Sequence, residues 1–173
     1  KHKWFQNDKS ELIVYVPSDF VFDGVSIETG AGKVNIEKMS TKQLYLNLGA
    51  GKVDINQLNV LENAKIDGGA GEINIHAISI HNLDLDMGFG KLSLSSKLTG
   101  NNKIEAGIGE MNLSLKGVLD DYKISLDKGI GAAKINGKTM EDSTTYGNGN
   151  NKLDIDGGIG SIDIEIKEDV DVR

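Results

Sequence analysis

A Gly-x-Gly tripeptide recurs seven times along this chain at a nearly constant interval. Successive first glycines are separated by 19, 20, 19, 19, 22 and 29 residues. A period near 20 residues with one late insertion is typical of a repeat array, in which each unit buries its apolar face against the next. The first glycines are Gly30, Gly49, Gly69, Gly88, Gly107, Gly129 and Gly158.

Four positions around each tripeptide are apolar in almost every copy. They lie five and three residues before the first glycine, and four and six residues after it; Asn102 is the one polar residue at these 28 positions. Apolar residues at every second position are typical of a half-buried strand. The inward-facing side changes across the tripeptide, which requires a bend that glycine permits. Each repeat therefore predicts a strand, a glycine corner, a second strand and a return turn.

These columns predict an all-β, single-domain parallel β-solenoid (β-helix) of about seven to eight coils with a repeat of 19–20 residues. Equivalent strands would stack in parallel about 4.8 Å apart, so that equivalent positions form columns inside one core. An antiparallel meander joined by short hairpins is the alternative. The pattern leaves open whether each coil has two or three sheets.

We expect residues 1–173 to form one domain with distinct ends. Residues 1–22 are predicted to be the N-terminal cap and first coil, in which alternating Leu12, Val14 and Val16 indicate a strand. The polar segment 136–151 is predicted to be an irregular surface loop. Residues 162–173 are predicted to be the C-terminal coil and cap, with charges that discourage edge-to-edge pairing.

The composition excludes several classes of protein. The chain has no cysteine, which rules out a disulfide scaffold, a thiolate metal site and a cysteine nucleophile. A net charge of −7 and a pI near 4.9 argue against nucleic acid as a partner. No apolar run is long enough to cross a bilayer, so we expect no direct membrane insertion by this segment. Because the sequence begins at Lys1 without Met, we expect any anchor to lie outside this chain.

An acidic column lies two residues before each first glycine. In a solenoid its members would face outward in a stack, and like charges so close repel each other. The side chains can accept hydrogen bonds from corner amides and lie near lysines; alternatively, they form a row of Ca²⁺ sites. We favour the hydrogen-bonded interpretation and keep Ca²⁺ as the alternative. The candidate metal ligands are Glu28, Asp67, Asp86, Glu105, Asp127 and Asp156, and Asn47 occupies the same position in the second repeat.

Other chemical motifs are weak. The Gly-x-Gly corners lack the Gly-Lys-Ser/Thr ending of a phosphate-binding loop. His76 and His81 flank a return turn without carboxylates at a metal-ligand spacing. Paired carboxylates in the acidic column would permit glycoside hydrolysis, but the nearly uniform repeats single out no pair. We therefore expect no catalytic residues and no cofactor.

The repeated corners resemble a bacterial adhesin-like β-strand-repeat family, a domain of unknown function with autotransporter-adhesin-like and head-GIN-like members. The resemblance rests on Gly-Ala-Gly-Lys-Val-Asn/Asp-Ile at residues 30–36 and 49–55, and on Gly-Gly-Ala-Gly-Glu-Ile-Asn-Ile at residues 68–75. It implies a β-solenoid carried outside the membrane by an anchored or exported protein.

The sequence favours a non-enzymatic, extracytoplasmic surface module whose partner is a cell-envelope protein or a surface glycan. A structural spacer or the sensor ectodomain of an envelope-stress system is the alternative. A carbohydrate-active enzyme is the third hypothesis.

Overall fold

The computed structural model describes residues 11–168, which form nine strands and one 3₁₀ turn at Leu119–Asp121. This part of the chain contains no helix that could span a membrane. The strands are β1 (Val21–Ile36), β2 (Met39–His81), β3 (Leu83–Thr99), β4 (Asn101–Lys116), β5 (Tyr122–Asp127), β6 (Ile130–Ile135), β7 (Lys138–Thr139), β8 (Thr144–Tyr146) and β9 (Asn151–Lys167).

The main ladders are parallel, with equivalent residues of successive repeats side by side. Ile27 pairs with Leu46 between β1 and β2, and Leu85 of β3 pairs with Ile66 of β2 and Ile104 of β4. The predicted all-β, solenoid-like fold is confirmed, and parallel pairing excludes the meander for these strands.

The predicted apolar columns form the core. Of the 28 positions, 24 are buried, and the other four, all in β1, are half-buried. Buried Asn102 accepts a hydrogen bond from the Leu83 amide (3.1 Å) and donates to the carbonyls of Thr99 (3.3 Å) and Lys152 (3.0 Å). Its polar atoms therefore have partners on both neighbouring strands, which offsets the free-energy cost of burying them.

The predicted return turn is a third side in the coils that β2 and β3 form. β2 continues without a break through residues 56–63, where Leu58 and Val60 are buried. Leu98 is buried in the corresponding segment of β3. The core is therefore enclosed on three sides where these segments are present.

Glycine is required at the corners for two reasons: the close stacking of neighbouring coils and the backbone conformation. Gly51 has φ +128°, and a Cβ there would lie 1.9 Å from the carbonyl oxygen of Gly32. At Gly160 (φ +151°) a Cβ would lie 1.7 Å from the oxygen of Gly109. Any larger residue would clash with the backbone of the neighbouring coil.

The last two repeats are not stacked in chain order, contrary to the sequence prediction. The sheet order is β1-β2-β3-β4-β9-β5-β8, and β6 also pairs with β9. Gly160 of β9 lies between Gly109 of β4 and Gly131 of β6. The predicted C-terminal cap is therefore wrong for residues 162–167, which lie in an interior strand; residues 169–173 lie outside the described residues.

The residue before the first glycine agrees with this order. The residue before the first glycine is Leu48, Met87 or Ala106 in interior coils, but it is Lys128 between β5 and β6. A lysine there is tolerated only where its ammonium group can reach solvent, which favours an end coil. The β9 repeat carries Gly157 at this position and fits the interior.

Segment 136–151 closes this end of the stack through two short strands, while the rest of the segment is irregular and mostly exposed. β7 pairs antiparallel with β6, and β8 pairs antiparallel with β5. The amides of Asn136 and Gly149 also donate to the carbonyls of Ile164 (2.8 Å) and Tyr122 (2.9 Å). These bonds satisfy edge groups that would otherwise remain open.

The other end differs from the prediction of a strand at Leu12–Val16. Residues 11–20 lie outside the strands and are exposed, with Pro17 accepting a hydrogen bond from the Phe20 amide (3.2 Å). A short alternating segment without a strand partner leaves its backbone groups to water. The first ten residues of the predicted cap lie outside the described residues.

Candidate functional site

A line of exposed apolar side chains follows the glycine corners of the last four coils. The middle residues of these tripeptides stack in the order Phe89, Ile108, Ile159 and Ile130. Their exposed fractions are 60%, 47%, 49% and 73%. Flanking glycines carry no side chain to cover them, so the four form a continuous apolar ridge.

The same corner carries only alanine in the first three coils. Ala31 pairs with Ala50, and Ala70 pairs with Phe89, where the apolar ridge begins. The corner geometry is common to both halves, and only the side chain changes. Large apolar groups are therefore not needed for the corner to form.

Four carboxylates run beside the apolar ridge. Asp86, Glu105, Asp156 and Asp127 stack in that order, one per coil, and point outward as predicted. The column on the other side of the ridge is mixed, with Lys91 and Glu110 forming an ion pair (3.5 Å). The ridge is thus apolar along its crest and strongly negative on one flank.

Neighbouring groups neutralise only part of the negative charge of the acidic column. Lys103 contacts Glu105 at 2.8 Å, and Lys65 contacts Asp67 at 4.0 Å. The predicted hydrogen bond from a corner amide is present at Asp127, which accepts from Gly129 N (3.1 Å). Within residues 11–168, the side chains of Glu28 and Asp86 have no hydrogen bond or ion pair. Much of this charge remains available to a partner.

A shallow cavity of about 290 Å³ adjoins the acidic column. Asp127, Asp154 and Asp156 line it together with Lys103, and Ser143 contributes from the 136–151 segment. The hydrogen bond to Glu105, with lesser effects of Asp84 and Asp156, raises the pKa of the Lys103 ammonium. The cavity therefore places three carboxylates around one persistent cation and favours a positively charged guest.

The described residues contain no group of three or more histidines, cysteines or carboxylates placed to hold a metal ion. The six carboxylates proposed as Ca²⁺ ligands form an extended column, one per coil, instead of a cluster. His81 is hydrogen-bonded through Nδ1 to Thr99 Oγ1 (2.9 Å). Ca²⁺ binding stays a prediction.

Lysines that follow the first two corners compensate charge on a different face. Lys33 and Lys52 contact Asp54 at 3.0 and 3.3 Å, and Lys52 also contacts Glu72 at 3.2 Å. The hydrogen bond from Asn74 and then the one from Lys33 lower the pKa of Asp54 to about 2. We call Lys33, Lys52, Asp54, Glu72 and Asn74 the polar network; it ties the first three coils together and leaves the acidic column untouched.

The apolar ridge was visible in the sequence but was missed. The middle residues of the seven tripeptides read Ala, Ala, Ala, Phe, Ile, Ile, Ile along the chain. A change from small to large apolar residues at a repeated outward position is the sequence pattern that identifies the apolar ridge. The acidic column was found because its charge recurs.

Comparison with known proteins places the chain in a family without defining an activity. No curated protein and no solved structure matches it. The family model Toastrack DUF4097, a domain of unknown function, matches residues 2–157, which is most of the chain. The adhesin-like and head-GIN-like names are not part of that match. On this match, the chain belongs to the Toastrack DUF4097 family.

Proposed function

We propose that this Toastrack domain is a non-enzymatic interaction module that acts outside the cytoplasm, at the cell surface or on a membrane anchor. The apolar ridge beside the acidic column carries the proposal. Exposed contiguous apolar side chains bordered by polar groups are typical of interaction sites. The resemblance to exported bacterial repeat proteins supports the location.

The fold behind this surface is inferred to be a solenoid of seven coils, one for each Gly-x-Gly. β1 to β4 contribute five coils because β2 spans two repeats, β9 contributes one, and β5 with β6 contributes the last. Stacking at about 4.8 Å per coil sets the spacing of the ridge side chains. A rigid spacing of this kind presents the partner with a preorganised line of contacts.

The partner that fits carries apolar groups next to cationic ones. Covering the ridge removes apolar area from water, which contributes about 25 cal/mol per Å². Lysine or arginine groups on the partner would meet Asp86, Glu105, Asp127 and Asp156, speeding association and fixing its orientation. A cell-envelope protein supplies this chemistry better than a glycan, because three of the four ridge residues are isoleucines, which lack an aromatic face for stacking sugars.

The spacer hypothesis does not account for the ridge. The first three coils build the same corner with alanine, so a purely structural rod has no need for Phe89 and the isoleucines. The sensor-ectodomain hypothesis is compatible with the ridge, since a sensor must also contact a partner. Hydrolysis of any member of a polysaccharide panel would favour the enzyme hypothesis instead.

Binding of a labelled amphipathic peptide tests the role of the ridge. The probe is a helical peptide of about 18 leucines and lysines with its apolar residues on one face. Replacing the four ridge residues by alanine (F89A/I108A/I159A/I130A) gives the C-terminal half the corner of the N-terminal half. We expect Kd, measured by fluorescence anisotropy, to rise at least about tenfold.

Matched controls separate apolar docking from charge attraction. The variant L61A/I78A removes exposed apolar side chains away from the ridge and should leave Kd unchanged. A shuffled peptide of the same composition keeps the charge but loses the apolar face, and should bind more weakly. Equal affinity of the wild type and the ridge variant for the amphipathic peptide would refute the proposal.

The location is tested with the tagged full-length protein in its own bacterium. Protease added to cells stripped of their wall and outer membrane should degrade the domain. Protection in such stripped cells followed by digestion after lysis would contradict an extracytoplasmic location.

A further inference from the structure

The two ends of the stack differ in how the outer edges of their strands are paired. At one end, β7 and β8 pair antiparallel with β6 and β5. At the other end, β1 pairs with β2 alone among the described strands. Within residues 11–168, one edge of β1 therefore has no strand partner, and such an edge is the usual template for pairing with another strand.

The core is also incompletely covered at β1. Val25, Ile27, Val34 and Ile36 occupy core columns, yet they are only half-buried, whereas their neighbours in β2 are buried. The described part of the preceding segment does not cover them, because Leu12 and Tyr15 are 88% and 89% exposed. An apolar surface beside an open strand edge is typical of a site that another strand covers.

We propose that β1 pairs antiparallel with β1 of a second copy, around a two-fold axis that passes through the corner at Gly30 and Ala31. The chain approaches this corner along one side of the coil and leaves it along the next. A two-fold axis through the corner exchanges these sides and reverses the chain direction. Antiparallel pairing along both sides follows from that symmetry, and the interface uses the same strand of each copy.

The register follows from matching core positions. With Gly30 opposite Ala31 of the second copy, Val25 lies opposite Ile36 and Ile27 opposite Val34, so all four half-buried residues meet apolar partners. Pairing shifted by two residues would place Val25 opposite Lys38, or Ile27 opposite Gly32. Since a shifted pairing exposes core side chains or buries charge, only the first register completes the core.

The charges of β1 agree with the same register. Glu28 lies opposite Lys33, and Asp23 lies opposite Lys38, each pair occurring twice. Within the described residues of one copy, Glu28 and Lys38 have no ion pair, whereas Lys33 and Asp23 each have one and would contact a second charged group in the dimer. Opposite charges facing each other across antiparallel strands stabilise the pairing.

Stacking onto the far end of another copy is disfavoured, since β7 and β8 occupy that edge. The competing occupant of the β1 edge is residues 1–20 of the same chain. The test must therefore distinguish a second copy from an internal cap.

Cysteine cross-linking of the full chain tests the pairing directly, because the protein has no cysteine of its own. Ser26 and Asn35 are exposed and lie opposite each other in the proposed register. A Ser26→Cys chain mixed with a differently tagged Asn35→Cys chain should form a mixed disulfide under mild oxidation, as facing positions on adjacent strands allow. Ser26→Cys mixed with Asn112→Cys, an equivalent position four coils away, should not.

Charge reversal gives an independent readout by sedimentation at up to about 100 µM protein, a range suited to interfaces of modest size. The wild type should sediment as a concentration-dependent dimer. Glu28→Lys should weaken it at least about tenfold in Kd, and adding Lys33→Glu in the same chain should restore it.

Two outcomes would overturn the proposal. One is a monomer at all concentrations whose β1 amides are protected from hydrogen exchange, which would mean that residues 1–20 cover the edge. The other is a dimer in which Ser26→Cys and Asn35→Cys chains form no mixed disulfide, which would place the interface elsewhere.

Discussion

The N-terminal and C-terminal halves of the solenoid share one core but have different surfaces. In the first three coils the corners carry alanine, and the polar network ties the coils together. In the last four coils the corners carry the apolar ridge, and the acidic column beside it keeps much of its charge unpaired. Core columns are interchangeable between repeats, whereas outward positions can vary without affecting the stack. Differences between the halves therefore mark function more clearly than their common core does.

The largest effect should come from charges placed in the shared core. Ile75→Asp in the N-terminal half and Leu113→Asp in the C-terminal half each bury an unpaired carboxylate at a position that is at most 2% exposed. The cost is about 3 kcal/mol or more, so both variants should lose the cooperative melting transition in circular dichroism. The exposed neighbour Asn112→Asp is the control. A wild-type transition in either core variant would show that the halves do not share this register.

Corner glycines should be equally necessary in both halves. Gly51→Ala and Gly160→Ala combine a positive φ with a clash against the neighbouring backbone, so each should lose about 3 kcal/mol in urea unfolding. Gly137→Ala has a φ of +75° and open space around it, and should lose only about 1 kcal/mol. Within one copy Gly30→Ala has neither constraint, so it should be neutral in the unfolding of the monomer. If Gly51→Ala and Gly137→Ala cost the same, stacking is not what requires glycine.

The core could be predicted from the sequence because inward positions repeat with a period of two and tolerate almost no polar residue. The strand order could not, since Ile130 and Ile159 lie in the same Gly-Ile-Gly motif and either could stack on Ile108. Lys128 stands at the position that carries apolar residues or glycine in the interior coils, and that difference was not used in the sequence prediction. The number of sides per coil stayed open because Ile78 is 50% exposed at a bulge in the pairing, which breaks the spacing there.

Only part of the candidate surface could be predicted from the sequence. The acidic column recurs at a fixed offset, and its outward direction follows from the strand period. Which carboxylates lie beside the ridge depends on the insertion of β9, which brings Asp156 between Glu105 and Asp127. Contacts that depend on strand order cannot be derived from a repeat pattern alone.

The polar network predicts a pH effect confined to the N-terminal half. The pKa of Asp54 is lowered to about 2 in the folded state from 3.8, so its contribution is complete above the unfolded pKa and is lost as the pH falls from about 4 toward 2. Asp54→Asn should cost about 1 kcal/mol or less at pH 7, because the pairs are solvent-accessible. The deficit relative to wild type should vanish near pH 2.

Asp154→Asn is the matched change in the C-terminal half, and it should be neutral or slightly stabilising because it relieves repulsion near Asp127 and Asp156. Both variants are compared by urea titration at a series of pH values. A pH-independent deficit in Asp54→Asn would attribute its effect to packing instead of charge.

Calcium should have the smallest effect. Because the acidic side chains form an extended column without a cluster of ligands among residues 11–168, we expect the same Tm in EDTA and in an excess of Ca²⁺. Ca²⁺ that binds only the folded state would raise Tm. At a hundredfold excess over Kd, such binding would add about 2.7 kcal/mol to the free energy of unfolding. A rise abolished by Asp67→Asn together with Asp86→Asn would instead establish a cation site in the column.

The insertion of β9 has a consequence for synthesis. β5 and β6 leave the ribosome before β9, yet β9 separates them from β4. The N-terminal coils can stack as they emerge, whereas β5 and β6 must wait for β9 (Asn151–Lys167) before they can attach to the stack. A nascent chain therefore holds an open β4 edge until β9 has been synthesised, and a premature stop before β9 would release a chain with that edge exposed.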